Sequence, residues 1–159
     1  MIALRLAGAL ALTVSGVLVA RSINASLNAA LVQTEGIVSL IRFLRVQIDC
    51  FSMPIGEILS MCSIDELFMC GYKGSVMPKN LSVIVGNMRV SDSVAHKHFC
   101  AFASEFGRGY REEQLRACDY YLNLLDEHRR EIVASLPSKK KRNSALCVSA
   151  SLALAVLLL

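Results

Sequence analysis

Two charge-free apolar runs, one at each end of the chain, constrain this sequence more than any other feature. The first covers Leu6–Ala20 and the second covers the 16 residues Ser144–Leu159. A helix needs roughly 20 apolar residues to cross about 30 Å of hydrocarbon. The first run reaches that length if Arg5 extends its charged end to the headgroups. The second spans about 24 Å as a helix and requires local thinning of the bilayer. We predict membrane anchors over residues 1–20 and 143–159.

Each run has an alternative interpretation. A basic start followed by an apolar core is also typical of a cleaved signal peptide, which would make the protein secreted and disulfide-bonded. The sequence Leu18-Val19-Ala20 lacks the small residue that cleavage after Ala20 requires, and Arg21 follows at once, so an uncleaved anchor is favoured. The second run could be a buried core helix, but the basic residues Lys139–Arg142, which precede it with only Asn143 between, favour an anchor.

The middle of the chain is polar by comparison. All 13 acidic residues lie between Arg21 and Arg142. A hydrophobic content of 54% and a mean hydropathy of +0.48 exclude a disordered chain. The net charge of +4 is small and scattered, which argues against a nucleic-acid partner.

Basic residues flank the middle segment on both sides. Lys and Arg concentrate on the cytoplasmic side of membrane helices. The sequence therefore predicts a cytoplasmic domain over residues 21–142, with both termini across the membrane. These cations are also expected to attract anionic membrane lipid. The predicted membrane-surface residues are Arg21, Lys139, Lys140, Lys141 and Arg142.

Apolar spacing close to 3.6 residues predicts that the middle segment is helical. We expect a helix over 24–49 continuous with the first anchor, and a second helix capped by Ser52 with Pro54 in its first turn. Ser63 and Glu66 form a capping box for a third. Residues 80–90 fit a helix, although alternation also fits a strand, and Ser91-Asp92-Ser93 offers a further cap.

The clearest pattern covers residues 110–136. A seam with spacing of three and four residues recurs there, and Pro137 is expected to kink or restart the chain. The seam residues are Leu115, Cys118, Leu122, Leu125, Arg129, Ile132 and Leu136. The fold class we predict is all-α: a helical bundle cytoplasmic domain flanked by N- and C-terminal transmembrane helices. Small-residue ladders in both apolar runs, including Gly16/Ala20 and Cys147/Ser151/Ala155, would let the two anchors pack closely.

Catalytic motifs are not found in the sequence. It contains no glycine-rich phosphate loop, HExxH or GxSxG, so we expect no enzyme, no cofactor and no metal. His96, His98 and Cys100 would share a face on a strand but not on a helix. His128 is expected to be solvated, and the six cysteines are expected to be reduced and buried.

The second half of the chain resembles the stage III sporulation protein AB family of endospore-forming bacteria. Phe102-Ala103-Ser104-Glu105-Phe106-Gly107, with Gln114 seven residues after the glycine, is similar to that family's F-x-x-x-L-G…Q stretch. Val46–Asp49 followed by Met53-Pro54-Ile55 is similar to its E-I-x-x-x-x-x-P-L segment. In the order and spacing of its segments, the resemblance covers essentially the whole chain. Tyr110, in place of the usual capping Asp, and Pro137 depart from the family pattern.

The resemblance implies a non-enzymatic subunit of a sporulation-specific secretion or channel complex between mother cell and forespore. Such a subunit would resemble the inner-membrane platform protein of type II secretion. It would lie in the mother-cell membrane and contact other channel-complex subunits, including a cytoplasmic secretion-type ATPase. Self-association into a homo-oligomer is left open.

Exposed charged faces are expected to carry partner specificity. We predict partner contacts at Glu105, Arg108, Gln114 and Arg129, the last because it interrupts an apolar seam. Alternatively, the Arg129 stem packs in the seam and its head is in water. A small membrane-bound thiol or metal sensor, using cytosolic thiols or the His96–Cys100 cluster, is the alternative function.

Overall fold

The computed structural model describes the backbone of residues 2–51 and 53–158, and the side chains of residues 8, 10–51 and 53–157. This part of the chain is helical and forms no strand, which confirms the all-α prediction for it. One isolated antiparallel bridge joins Tyr72 and Met88. The helices are α1 (Ile2–Phe51), α2 (Ile55–Ser60), α3 (Ile64–Met69), α4 (Leu81–Gly86), α5 (Ser93–Glu105) and α6 (Arg111–Leu158).

The first helix runs without a break from the apolar run to Phe51, as the sequence predicts. Its stretch Leu10–Phe51 is long and apolar enough to cross a membrane, with a mean hydropathy of 1.5 in its best window and 6% of that window buried. A signal sequence near an N-terminus has the same properties. No other helix in the described residues meets this measure, so the C-terminal anchor stays a prediction.

The last helix corrects one expectation. Pro137 does not restart the chain, because α6 continues through it as a single helix. A proline removes only its own N–H bond, here to the carbonyl of Val133, and neighbouring hydrogen bonds can carry the helix past that gap.

The short helices begin where their caps indicate. Ser63 and Glu66 form the predicted capping box, with the Glu66 amide 3.1 Å from the Ser63 hydroxyl. The Asp92 carboxylate caps α5 by accepting from the amides of Val94 and Ala95, and residues 81–86 are a helix rather than a strand. Pro54 is the N-cap of α2 rather than a residue of its first turn. The predicted cap Ser52 lies outside the described residues.

The chain divides into two compact units. The larger, Ala29–Ile132, contains α2 to α5, the second part of α1 and the first part of α6. Its core is formed by side chains that lose all contact with solvent, each contributing about 1.5–3 kcal/mol by burial. They include Ile37, Ile41, Leu44, Ile58, Leu59, Leu67, Ile84, Phe99, Phe102 and Leu125.

The smaller unit pairs the beginning of α1 with the end of α6. The Asn24 amide donates to the Ser144 hydroxyl at 3.1 Å, and Gly16 lies directly against Ser151. Because the partner's number falls from 151 to 144 as the number on α1 rises from 16 to 24, the pair is antiparallel. Gly16, Ala20, Ser151 and Ala155 are buried, so these two predicted ladders do pack together.

Candidate interaction site

Three of the four predicted partner-contact residues line one cleft. Glu105, Arg108 and Gln114 surround a space of about 400 Å³, together with Ser104, Gly109, Glu113 and Ala117. The cleft lies where the end of α5 meets the first turns of α6. Residues separated by a helix end in the sequence are therefore brought to one surface.

A tight turn builds this cleft. The chain leaves α5 at Phe106, whose amide donates to the carbonyl of Phe102 at 2.9 Å, and Gly107 adopts a φ of +83°, which favours glycine. At the start of α6 the Tyr110 amide donates to the Glu113 carboxylate at 3.0 Å. The Glu113 side chain thus caps the helix, whereas the Tyr110 ring is 86% exposed.

Two of the cleft's functional groups are held in place by neighbours. The Tyr121 hydroxyl donates to Glu105 at 3.0 Å; burial and this bond to the carboxylate raise the pKa of Tyr121 to about 12. The Gln114 amide donates to the carbonyl of Gly109 at 2.9 Å. Arg108 is exposed, and no acidic side chain in the described ranges pairs with it. The cleft therefore presents an ordered acceptor beside an available guanidinium.

Arg129 lies elsewhere. Its guanidinium is 3.3 Å from Asp126 and 3.8 Å from Glu35, and its side chain is 38% exposed. It belongs to a row of ion pairs between α1 and α6, each of which contributes little to stability because solvent screens it. The other pairs in that row are Arg42–Asp126 at 3.5 Å, Arg45–Asp119 at 2.6 Å and Arg111–Asp49. A partner role for Arg129 stays a prediction.

The predicted membrane-surface cations lie in the smaller unit. Arg21 is on α1, and Lys139, Lys140, Lys141 and Arg142 are consecutive on α6. All except Lys140, which is partly buried, are exposed. None of the acidic groups that the structure describes forms an ion pair with them.

A buried polar network was missed from the sequence. Gln33 is 2% exposed, and its amide nitrogen donates to the carbonyls of Cys70 and Arg89 at 3.0 and 2.6 Å. Its amide oxygen accepts from the amides of Ser91 and Asp92 at 2.7 and 2.8 Å. One side chain on α1 thus holds both ends of the segment that contains α4. The available signal was a gap in the apolar spacing of α1, where Gln33 and Thr34 occupy inward positions.

The same network reaches α6 through a carboxylate. The His128 ring donates from Nε2 to Asp92 at 2.7 Å, and the Thr34 hydroxyl lies 3.1 Å from the same oxygen. The His128 side chain is only 18% exposed, so the expectation that it is solvated was wrong. Because His128 and Thr34 both contact the carboxylate rather than each other, they do not form a nucleophile–base pair.

Competing effects determine the charge of this carboxyl group. Burial acts to raise the pKa of Asp92, but the hydrogen bonds from His128 and from the amides of Ala95 and Val94 outweigh it and lower that pKa. The ionised form is therefore favoured in the folded protein. Its stabilising contribution is present above the ordinary pKa of a carboxyl group and is lost as the pH falls through the lowered value.

The metal-like cluster is limited to one pair. The Cys100 thiol is 3.4 Å from Nε2 of His96. Both residues lie on α5, where helical geometry makes them neighbours, as predicted. Within the described residues no group of three or more His, Cys, Asp or Glu side chains could hold a metal ion.

The six thiols are all free, but they differ in exposure. Burial raises the pKa of Cys62 to about 11 and those of Cys70 and Cys118 to about 12, which keeps these three thiols protonated and unreactive. Cys50 is exposed, and Cys100 and Cys147 are only partly buried, so the expectation that the cysteines are buried was wrong for these three residues.

Comparison with protein-family models, with curated proteins and with solved structures finds no match to this chain.

Proposed function

We propose that this protein is a non-enzymatic assembly subunit that is held at a membrane and docks other subunits through the cleft at Glu105, Arg108 and Gln114. The observation that carries the proposal is the convergence of these three residues on one cleft with a volume of about 400 Å³. An available guanidinium beside a fixed carboxylate can recognise a partner surface of complementary charge.

Membrane attachment is proposed from the apolar character of both ends. The apolar stretch of α1 supports one anchor, and Ser144–Leu159 supplies the second in this proposal. Two anchors would fix the orientation of the larger unit and raise its effective concentration toward partners in the same membrane. The distribution of basic residues supports a cytoplasmic location for that unit.

The resemblance to the stage III sporulation protein AB family supplies the biological setting of the proposal. In that setting the protein is a platform-like subunit of a channel complex between mother cell and forespore. Its larger unit would face the mother-cell cytoplasm, where a secretion-type ATPase is the expected partner.

A charge-reversal variant tests the docking cleft. Arg108→Glu is expected to abolish recovery of the ATPase or of ring components when the full chain is purified from detergent-solubilised sporulating cells. The physical reason is that a reversed charge both removes an attractive pair and introduces repulsion. Recovery is measured by quantitative mass spectrometry of the purified complex.

Lys97→Glu is the matched control, because Lys97 is an exposed cation on α5 outside the cleft. It is expected to leave recovery unchanged. If Arg108→Glu recovers as much of the ATPase and ring components as the unsubstituted chain does, the cleft is excluded as the docking surface. Absence of every secretion-type component from the unsubstituted chain's complex would refute the platform assignment.

A further inference from the structure

One long segment of the larger unit lacks negative charge. No Asp or Glu occurs between Glu66 and Asp92, whereas Lys73, Lys79 and Arg89 all lie in this stretch. We call residues 67–91 the basic segment. Its three cations are exposed, and in the part of the chain that is described none of them pairs with an acidic side chain. The segment therefore presents a positive surface.

The same segment exposes large apolar side chains. Phe68 and Met69 are each 48% exposed, Val76 is 73% exposed and Val90 is 50% exposed. Side chains of this size are normally withdrawn from water or covered by a partner when they cluster. Here they lie beside cations, a combination typical of surfaces that bind at a lipid interface.

A groove joins the apolar and basic groups. It has a volume of about 530 Å³ and is lined by Ala29 and Val32 of α1, by Phe68 and Met69, and by Lys73 and Arg89. No acidic residue lines it. Ala29 and Val32 come eight and eleven residues after Arg21, the first charged residue beyond the apolar run.

We propose that the basic segment docks on the surface of an anionic lipid bilayer, inserting Phe68 and Met69 while Lys73 and Arg89 bind lipid phosphates. Positive charge and exposed apolar area together match an anionic headgroup layer over hydrocarbon. This inference rests on the proposed membrane attachment, which would hold the segment beside a bilayer.

The absence of tryptophan from the chain permits a site-specific test. Full-length Phe68→Trp is reconstituted into nanodiscs of phosphatidylcholine with or without phosphatidylglycerol, and its fluorescence is quenched with brominated lipid chains. We expect a blue-shifted, quenched emission only when the anionic lipid is present.

Tyr110→Trp is the control reporter. Tyr110 is 86% exposed, and its neighbour Arg111 binds Asp49, near the C-terminal end of α1 and 17 residues after Val32. Its emission is expected to be unaffected by brominated lipid. Quenching of both reporters would overturn the proposal, since contact would then not be specific to the basic segment.

Charge-neutral variants in the Phe68→Trp background test the cations. Lys73→Gln with Arg89→Gln should lower the ratio of docked to undocked protein about twenty-fivefold, or about fivefold per cation. Lys97→Gln with Arg130→Gln makes the same change in net charge at exposed positions outside the segment and should have little effect. If both double variants lower the ratio of docked to undocked protein equally, the basic segment does not recognise the lipid.

The outcomes separate this inference from the proposed function. If the chain is recovered with the nanodiscs but Phe68→Trp stays unquenched, lipid docking is refuted and the surface belongs to a protein partner, while membrane attachment stands. If the chain is not recovered with the nanodiscs, attachment itself is refuted and lipid docking with it.

Discussion

Gln33 shows how one buried side chain can hold the backbone at both ends of a segment, in addition to the core contacts that Leu81 and Ile84 make between those ends. Its two polar atoms make four hydrogen bonds to backbone groups of residues 70–92. Buried backbone groups without partners cost about 1–3 kcal/mol each. Gln33 therefore stabilises the segment mainly by preventing that loss.

Substituting Gln33→Leu is expected to lower the free energy of unfolding by about 2–4 kcal/mol, because the buried amide and carbonyl partners would be left unbonded. The measurement is chemical unfolding of the detergent-solubilised full chain, followed by circular dichroism.

Gln47→Leu is a matched control on the same helix. Gln47 Oε1 is buried and has no hydrogen-bond partner, so its removal should be neutral or stabilising. If Gln47→Leu lowers the free energy of unfolding as much as Gln33→Leu does, the change in side-chain volume, rather than the loss of hydrogen bonds, causes the effect.

The candidate site was partly predictable at this scale. Glu105, Arg108 and Gln114 could be selected because charged groups and a resembling motif lie close together in the sequence. The cluster of Gln33, Asp92 and His128 could not, because its two hydrogen-bonded pairs join residues 59 and 36 positions apart. Their contact depends on how three separate elements pack, and local spacing does not report that.

Among the elements, α6 departs most from its sequence pattern. The predicted seam includes Cys118 and Leu125, which are fully buried, but also Leu122, which is only partly buried. Tyr121 is 5% exposed because it packs edge-on against Phe102 of α5. A helix that packs on one neighbour buries a narrow stripe of side chains. Because α6 packs on both α1 and α5, its buried face is wider than the predicted seam.

The close pairing of α1 and α6 in the smaller unit depends on Gly16. A Cβ atom at this position would lie 2.4 Å from the Ser151 hydroxyl. Gly16→Val should therefore separate the two helices at a cost of about 1–3 kcal/mol. Disulfide formation between Asn24→Cys and Ser144→Cys, in a Cys147→Ser background, measures their proximity and is expected to fall at least severalfold.

Gly8→Val serves as the comparison, since a Cβ at Gly8 meets no atom within 4 Å. Cross-linking should then match that of the parent. Unchanged cross-linking in Gly16→Val would rule out this helix contact.

For the whole molecule, the hydropathy pattern predicts where the long helices run better than it predicts how many segments cross a membrane. The long uninterrupted α1 follows from continuous helical spacing without Pro. Ser144–Leu159 has 16 residues, fewer than the roughly 20 that span a bilayer without thinning, so hydropathy favours the second anchor less strongly than the first.

Thiol labelling tests the proposed orientation. A membrane-impermeant maleimide should label Cys50 only after protoplasts are permeabilised, because the larger unit is proposed to lie inside the cell. Cys62, Cys70 and Cys118 should react only after denaturation, since they are buried and their pKa values are about 11 to 12. Products are identified by peptide mass spectrometry.

Cys50→Ser should remove the label from the peptide that contains residue 50 in permeabilised cells, without affecting the label on the partly buried Cys100 and Cys147. Labelling of Cys50 in intact protoplasts would place the larger unit outside and reverse the proposed topology.

The ion pairs between α1 and α6 have a consequence for biosynthesis. In the ion pairs of Arg111, Arg45 and Arg42, the two paired residues are 62, 74 and 84 positions apart in the sequence. At a translation rate of about 5–20 residues per second, the ribosome needs roughly 4 to 17 seconds to add 84 residues. During that interval the nascent α1 exposes Ile37, Ile41 and Leu44 without the last helix of its bundle. If a chaperone binds the emerging chain, we expect that binding to be concentrated in those seconds.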